Sequence, residues 1–95
     1  MRLSAFPLAA LLIGMALPAH AACYADYKAK QDAPLRLHYG VMQVAAAACS
    51  GGDPATEMRQ RLAAGGWTLL NVISVFGPEG LPERKANAGA YHLRY

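Results

Sequence analysis

Gly65-Gly66-Trp67-Thr68-Leu69-Leu70-Asn71-Val72-Ile73-Ser74-Val75-Phe76 holds the only tryptophan of the chain and its strongest strand signal. β-Branched, aliphatic and aromatic residues dominate from the glycine pair until Gly77-Pro78 stops them, so the stretch predicts a helix end followed by a central strand. Alternation places Trp67, Leu69, Ile73 and Val75 on one side and Leu70, Val72 and Phe76 on the other. A strand apolar on both sides needs cover on both.

Upstream, Asp53-Pro54 is a helix-start signal, with Asp53 as cap acceptor and Pro54 at the first helical position. Ala55, Met58 and Leu62 then share one face, Glu57, Arg59, Gln60 and Arg61 face water, and Gly65 fits a left-handed cap. Before that helix, Leu35–Val44 alternates as a half-buried strand, with Leu35, Leu37, Tyr39 and Val41 opposite Arg36, His38, Gly40 and Met42. Ala45–Gly52 is a fading connection that carries Cys49.

Downstream, Gly77–Gly89 reads as a long loop of turn chemistry. Ala90–Tyr95 reads as a closing strand, with Tyr91, Leu93 and Tyr95 on one side and Ala90, His92 and Arg94 on the other. The expectation is an α+β domain over residues 35–95: β-α-β-β, one helix packed on a small three-stranded mixed or antiparallel sheet. A right-handed crossover makes strands 35–44 and 67–76 parallel, with 90–95 filling the gap between them. A sequential order, or a sheet extended by the N-terminal segment, is the other arrangement. Trp67, Leu70, Val72, Leu62, Met58 and Leu93 form the expected core. Residues 22–34 are short and polar, and read as an extension lying across the domain.

Residues 1–21 have the layout of a secretory signal: Arg2, an apolar run from Leu8 to Leu17, and Ala19-His20-Ala21 as a small-x-small cleavage site. The run is too short to span a bilayer. His20 stands where a lipoprotein leader has an aliphatic residue, which argues against lipidation of Cys23. The expected location is the periplasm or the extracellular space, with no membrane span in the mature form. Removing 21 of 95 residues leaves 74, with eight Lys and Arg against six Asp and Glu. That weak excess argues against a nucleic-acid partner.

So small a domain commonly needs a staple. The only two cysteines, Cys23 and Cys49, supply one as a structural disulfide in an oxidising compartment. Closing their loop stabilises the fold by about 3–4 kcal/mol on a chain-entropy account.

Tyr39-Gly40-Val41, Gly66-Trp67-Thr68-Leu69-Leu70-Asn71-Val72 and Tyr91-His92-Leu93-Arg94-Tyr95 together resemble motifs of small bacterial proteins of unknown function. Those proteins carry a Gly-Trp-x-Leu-Val-x-Val strand and close on an aromatic-x-aliphatic-basic strand. The span from Leu35 to Tyr95, with its Cys23 extension, is also similar to uncharacterised exported proteins of alphaproteobacteria. The resemblance implies a β-α-β-β fold and no activity.

Catalytic patterns are missing from the sequence: there is no G-x-S-x-G, no H-E-x-x-H and no phosphate loop. Ser50 and Ser74 sit in no nucleophile motif, Glu79 and Glu83 read as solvated loop carboxylates, and no cofactor is implied. The leading expectation is a non-catalytic interaction or structural module, offering a sheet face or the 77–89 loop to an envelope protein or to a second copy. The alternative is a metal- or anion-binding protein built on His38, His92 and Arg94, with Met42 on the His38 side.

Overall fold

The computed structural model describes residues 22–95; the signal reading over 1–21 lies outside them. Strand β1 runs Cys23–Gln31, β2 Arg36–Val44 and β3 Thr68–Phe76; helix α1 is Ala55–Ala64 and α2 is Leu81–Ala88. Short 3-10 segments occupy Ala46–Ser50, Pro78–Gly80 and Gly89–Tyr91. The three strands form one antiparallel sheet in the order β2-β1-β3, packed against helical segments, so the α+β class and the three-stranded sheet hold.

The supply of strands differs from the sequence reading. β2 and β3 do run parallel to each other with a gap between them, and β1 fills that gap, not residues 90–95. The segment read as an N-terminal extension is therefore the middle strand, and the Trp67 stretch leads into an edge strand. β1 alternates well: Cys23, Ala25, Tyr27 and Ala29 are buried under α1, while Tyr24, Asp26, Lys28 and Lys30 point the other way. Its alanines are poor strand formers, which masks the pattern.

Residues 90–95 make a single parallel bridge, Val41 to His92, with the Leu93 N–H donating to the Val41 carbonyl at 2.8 Å. Leu93 sits at φ +58°, which breaks the strand there. Tyr91 and Tyr95 both return to the core while Leu93 is 45 % exposed, so Leu93 is not a core residue.

The 77–89 segment is a helix and not a loop. Pro82 lies in its first turn with Glu83, and Gly89 follows its end with φ +52°. α2 lies against β2 and covers the sheet face opposite α1. It does so with Leu81 half-buried, Arg84 half-buried and Ala88 buried, a stripe too polar to be read as amphipathic.

α1 forms as its signals direct: the Asp53 carboxylate accepts the Ala55 N–H at 2.9 Å, and Met58 and Leu62 are fully buried. Its left-handed terminal residue is Gly66, at φ +86°, one place later than Gly65. Arg61 does more than face water. It donates to the Gln43 carbonyl at 2.7 Å, to Glu57 at 2.9 Å and to the Tyr95 carbonyl at 2.6 Å, tying α1 to β2 and to the 89–95 segment.

Cys23 and Cys49 form a disulfide with Cα atoms 5.9 Å apart, fastening the start of β1 to the 3-10 segment after β2. Both sulfurs are thereby engaged. Among the described residues no helix is long and apolar enough to cross a membrane.

Two irregularities set the character of β3. Its pairing with β1 passes from Ser74 to Val72 and from Asn71 to Leu69, leaving Ile73 and Leu70 as bulged residues without partners. The expected two-residue period becomes three, and Leu69 and Val72 pack on the core. Leu70, an expected core residue, is 49 % exposed, and Ile73 is 46 % exposed. Trp67, Met58 and Leu62 are buried.

Candidate functional site

His38 and Met42 are buried on the α1 face of β2, so the side read as polar is buried, while on the other side Val41 is fully buried and Leu35 and Leu37 are exposed. The small residue between His38 and Met42 explains how. Gly40 is the cross-strand partner of Tyr27, and the Tyr27 ring lies flat over it, where any Cβ would collide with the phenol. The Tyr27 hydroxyl then meets His38 Nε2 at 2.8 Å.

An aromatic cage closes round that imidazole. Tyr91 stacks on it at 3.7 Å and 11°, the Trp67 ring meets it near a right angle at 4.3 Å, and Tyr95 lies at 6.1 Å. His38 is 8 % exposed, and its Nδ1 is enclosed with no hydrogen-bond partner. Burial, reinforced by the charge of Arg94, holds the imidazole below its ordinary value. Burial, with the nearby Tyr95 and Tyr91, pushes the Tyr27 phenol up.

A second polar cluster lies on the opposite face, under α2. Asp26, in the middle of β1 and 4 % exposed, accepts from the Ser74 hydroxyl at 2.7 Å, from the Tyr39 hydroxyl at 2.8 Å and from Arg84 Nε at 3.1 Å. Burial alone would raise its carboxyl. The Ser74, Tyr39 and Arg84 hydrogen bonds, with the Arg84 charge, outweigh that and hold it below the usual carboxylate range. Burial and the Asp26 carboxylate push the Tyr39 phenol up to about 12.

Arg84 also lies over the Phe76 ring at 3.9 Å and donates to the Gly80 carbonyl at 2.7 Å. Each Asp26 oxygen thus has a donor, and the cluster locks α2 onto the sheet. With three donors engaged, the carboxylate is poorly placed to take a proton from a substrate. The sequence signal for Asp26 was its place in the β1 alternation; Arg84 carried none beyond its position four residues before Ala88.

The other candidate residues are dispersed. His92 is half-buried in the bridge to Val41, Arg94 lies about 5.9 Å from the Tyr91 ring, and Glu79 is exposed. Glu83 is exposed beside Arg84 at 3.3 Å. Among the described residues no group of three or more His, Cys, Asp or Glu side chains could hold a metal ion. An open cleft of about 180 Å3 lies between α1 and the start of β3, lined by Arg59, Ala63, Trp67, Thr68 and Leu69. Alongside, Leu70, Ile73 and Val75 form an exposed aliphatic ridge on β3.

No protein-family model matches the chain, and neither the curated proteins nor the solved structures hold a match to it.

Proposed function

We propose that the chain is an exported, non-catalytic interaction module whose contact surface is the Leu70, Ile73 and Val75 ridge of β3. The supporting observation is the pair of bulges, which turn two large aliphatic side chains into water while helices cover both faces of the sheet. Bulges re-aim side chains, and burying an exposed leucine or isoleucine on a partner contributes about 1.5–3 kcal/mol each. The disulfide and the leader pattern support export.

The occupant is an apolar surface of an envelope protein or a second copy of the chain. Light scattering on the purified protein, with retention of envelope proteins, is compared between the wild type and a Leu70→Glu, Ile73→Glu double variant. The reading expects association in the wild type and its loss in the double variant at unchanged secondary structure. A strictly monomeric wild type that retains no protein beyond what the double variant retains overturns it.

A further inference from the structure

Residues 89–95 are held to the domain by few attachments. These are the Leu93 N–H on the Val41 carbonyl, Arg61 on the Tyr95 carbonyl, and the packing of Tyr91 and Tyr95 about His38, with Tyr91 also against Trp67 and Tyr95 against Gly65. No strand ladder secures the segment, so it can lift without breaking the sheet. One titratable side chain sits at its centre. We propose that His38 makes the 89–95 segment a pH-sensitive strap, closed over the imidazole when the ring is neutral and released when the ring is protonated.

The geometry gives the reason. A neutral imidazole has one N–H and one acceptor nitrogen: Nε2 is paired with the Tyr27 hydroxyl, and Nδ1, left without a partner, is tolerated at least cost as the unprotonated nitrogen. Protonation places an N–H on both nitrogens, and Nδ1 is enclosed with no acceptor. The groups facing the ring are Tyr27 from β1, Trp67 before β3, and Tyr91 and Tyr95 from the strap, with the Arg94 charge over the outer tyrosines. α1 brings only Met58 and Leu62 to this core, and its Arg61 is bound to the strap's own carbonyl. None of these groups is a carboxylate, and Arg94 is a like charge. The unpaired N–H and the charge reach water when the strap lifts, and lifting bares the β2 edge at Val41.

The sign follows from linkage. Above the ordinary imidazole value the ring is neutral whether the strap is open or closed, so pH has no effect there. As pH falls below about 6.5, the open form takes up the proton first, and opening is favoured by up to about tenfold per pH unit. The effect levels off once the closed form is protonated too. His92 is also in the strap with an enclosed Nδ1, so it must be tested separately.

The experiment uses the disulfide-bonded protein. The His38 imidazole is titrated directly by NMR, and protection of the Leu93 amide against hydrogen exchange is followed from pH 7.5 to 5. The emission of Trp67, the only tryptophan, is read over the same range. The expected result is a His38 midpoint below that of an exposed histidine, with Leu93 protection falling and Trp67 emission changing as pH falls below about 6.5. The response should persist in His92→Gln and vanish in His38→Phe, which keeps a ring in the cage. A His38 midpoint at or above the ordinary value overturns the proposal, and so does pH-independent Leu93 protection. The direct titration decides the matter even where His38→Phe does not fold.

Discussion

Under α1 the sheet buries Tyr27, Met42, Met58, Leu62 and Trp67 about one imidazole, whereas under α2 it buries a carboxylate held by Ser74, Tyr39 and Arg84. The first face is held by apolar area, which tolerates small shifts and loses stability in proportion to what is removed. The second is held by a charge whose partners sit on three different elements, and such a charge is costly once any partner is lost. A short helix with a single buried alanine needs that kind of anchor. The lesson is that a helix with little apolar surface can still cover a sheet if the sheet offers it a buried opposite charge.

The contrast can be broken in several ways. Arg84→Ala strands the Asp26 carboxylate and should cost about 3–5 kcal/mol in urea unfolding; a loss below about 1 kcal/mol would mean that α2 is not held by the ion pair. Leu62→Ala opens a cavity on the other face and should cost about 2–5 kcal/mol, with the helical signal retained at low denaturant.

Acid separates the faces by pH. The folded Asp26 carboxyl lies below its ordinary 3.8, so its contribution is present above that value and is lost as pH falls through the lower folded one. Unfolding free energies between pH 5 and pH 2 should show this loss, and Asp26→Asn should flatten it. Ser74→Ala removes one of three donors and should cost about 1 kcal/mol by thermal or urea melts. The smallest effect is expected from Ile73→Lys on the ridge, within about 0.5 kcal/mol of the wild type. A large loss there would show that Ile73 is packed in solution.

What could be read from the sequence follows the same division. α1 was legible because cap, apolar spacing and terminal glycines agree, and the disulfide because only two cysteines exist. β2 was legible as a strand, but the burial of the side read as polar was not. The side bearing Leu37, Tyr39 and Val41 looked apolar; Val41 is fully buried there but Leu37 is exposed, and the α1 core lies with His38, Gly40 and Met42. A glycine and a histidine pass for polar residues until Tyr27 is seen to fill the one and hydrogen-bond the other.

β1 was hidden by its alanines, and α2 by a stripe whose anchor is an arginine. Its proline and terminal glycine were helix signals all the same. The bulges in β3 have no local signature, because they are set by which β1 residues the strand must meet. Those two bulges put Leu70, an expected core residue, and Ile73 at the surface, and with them the candidate contact site.

The Asp26 carboxylate also bears on how the chain finds its register. β1 and β2 are joined by a four-residue turn and can pair early, whereas Ser74 lies 48 residues and Arg84 58 residues beyond Asp26. Until those residues arrive, the charge stays in water. A β3 that docks one residue out of step carries Ser74 to the wrong face and leaves the carboxylate short of a donor, so the misaligned sheet is penalised where hydrophobic contacts alone would tolerate it. Asp26 thus acts as a proofreader of β3 alignment, rejecting sheets that are greasy enough to form but incorrectly aligned.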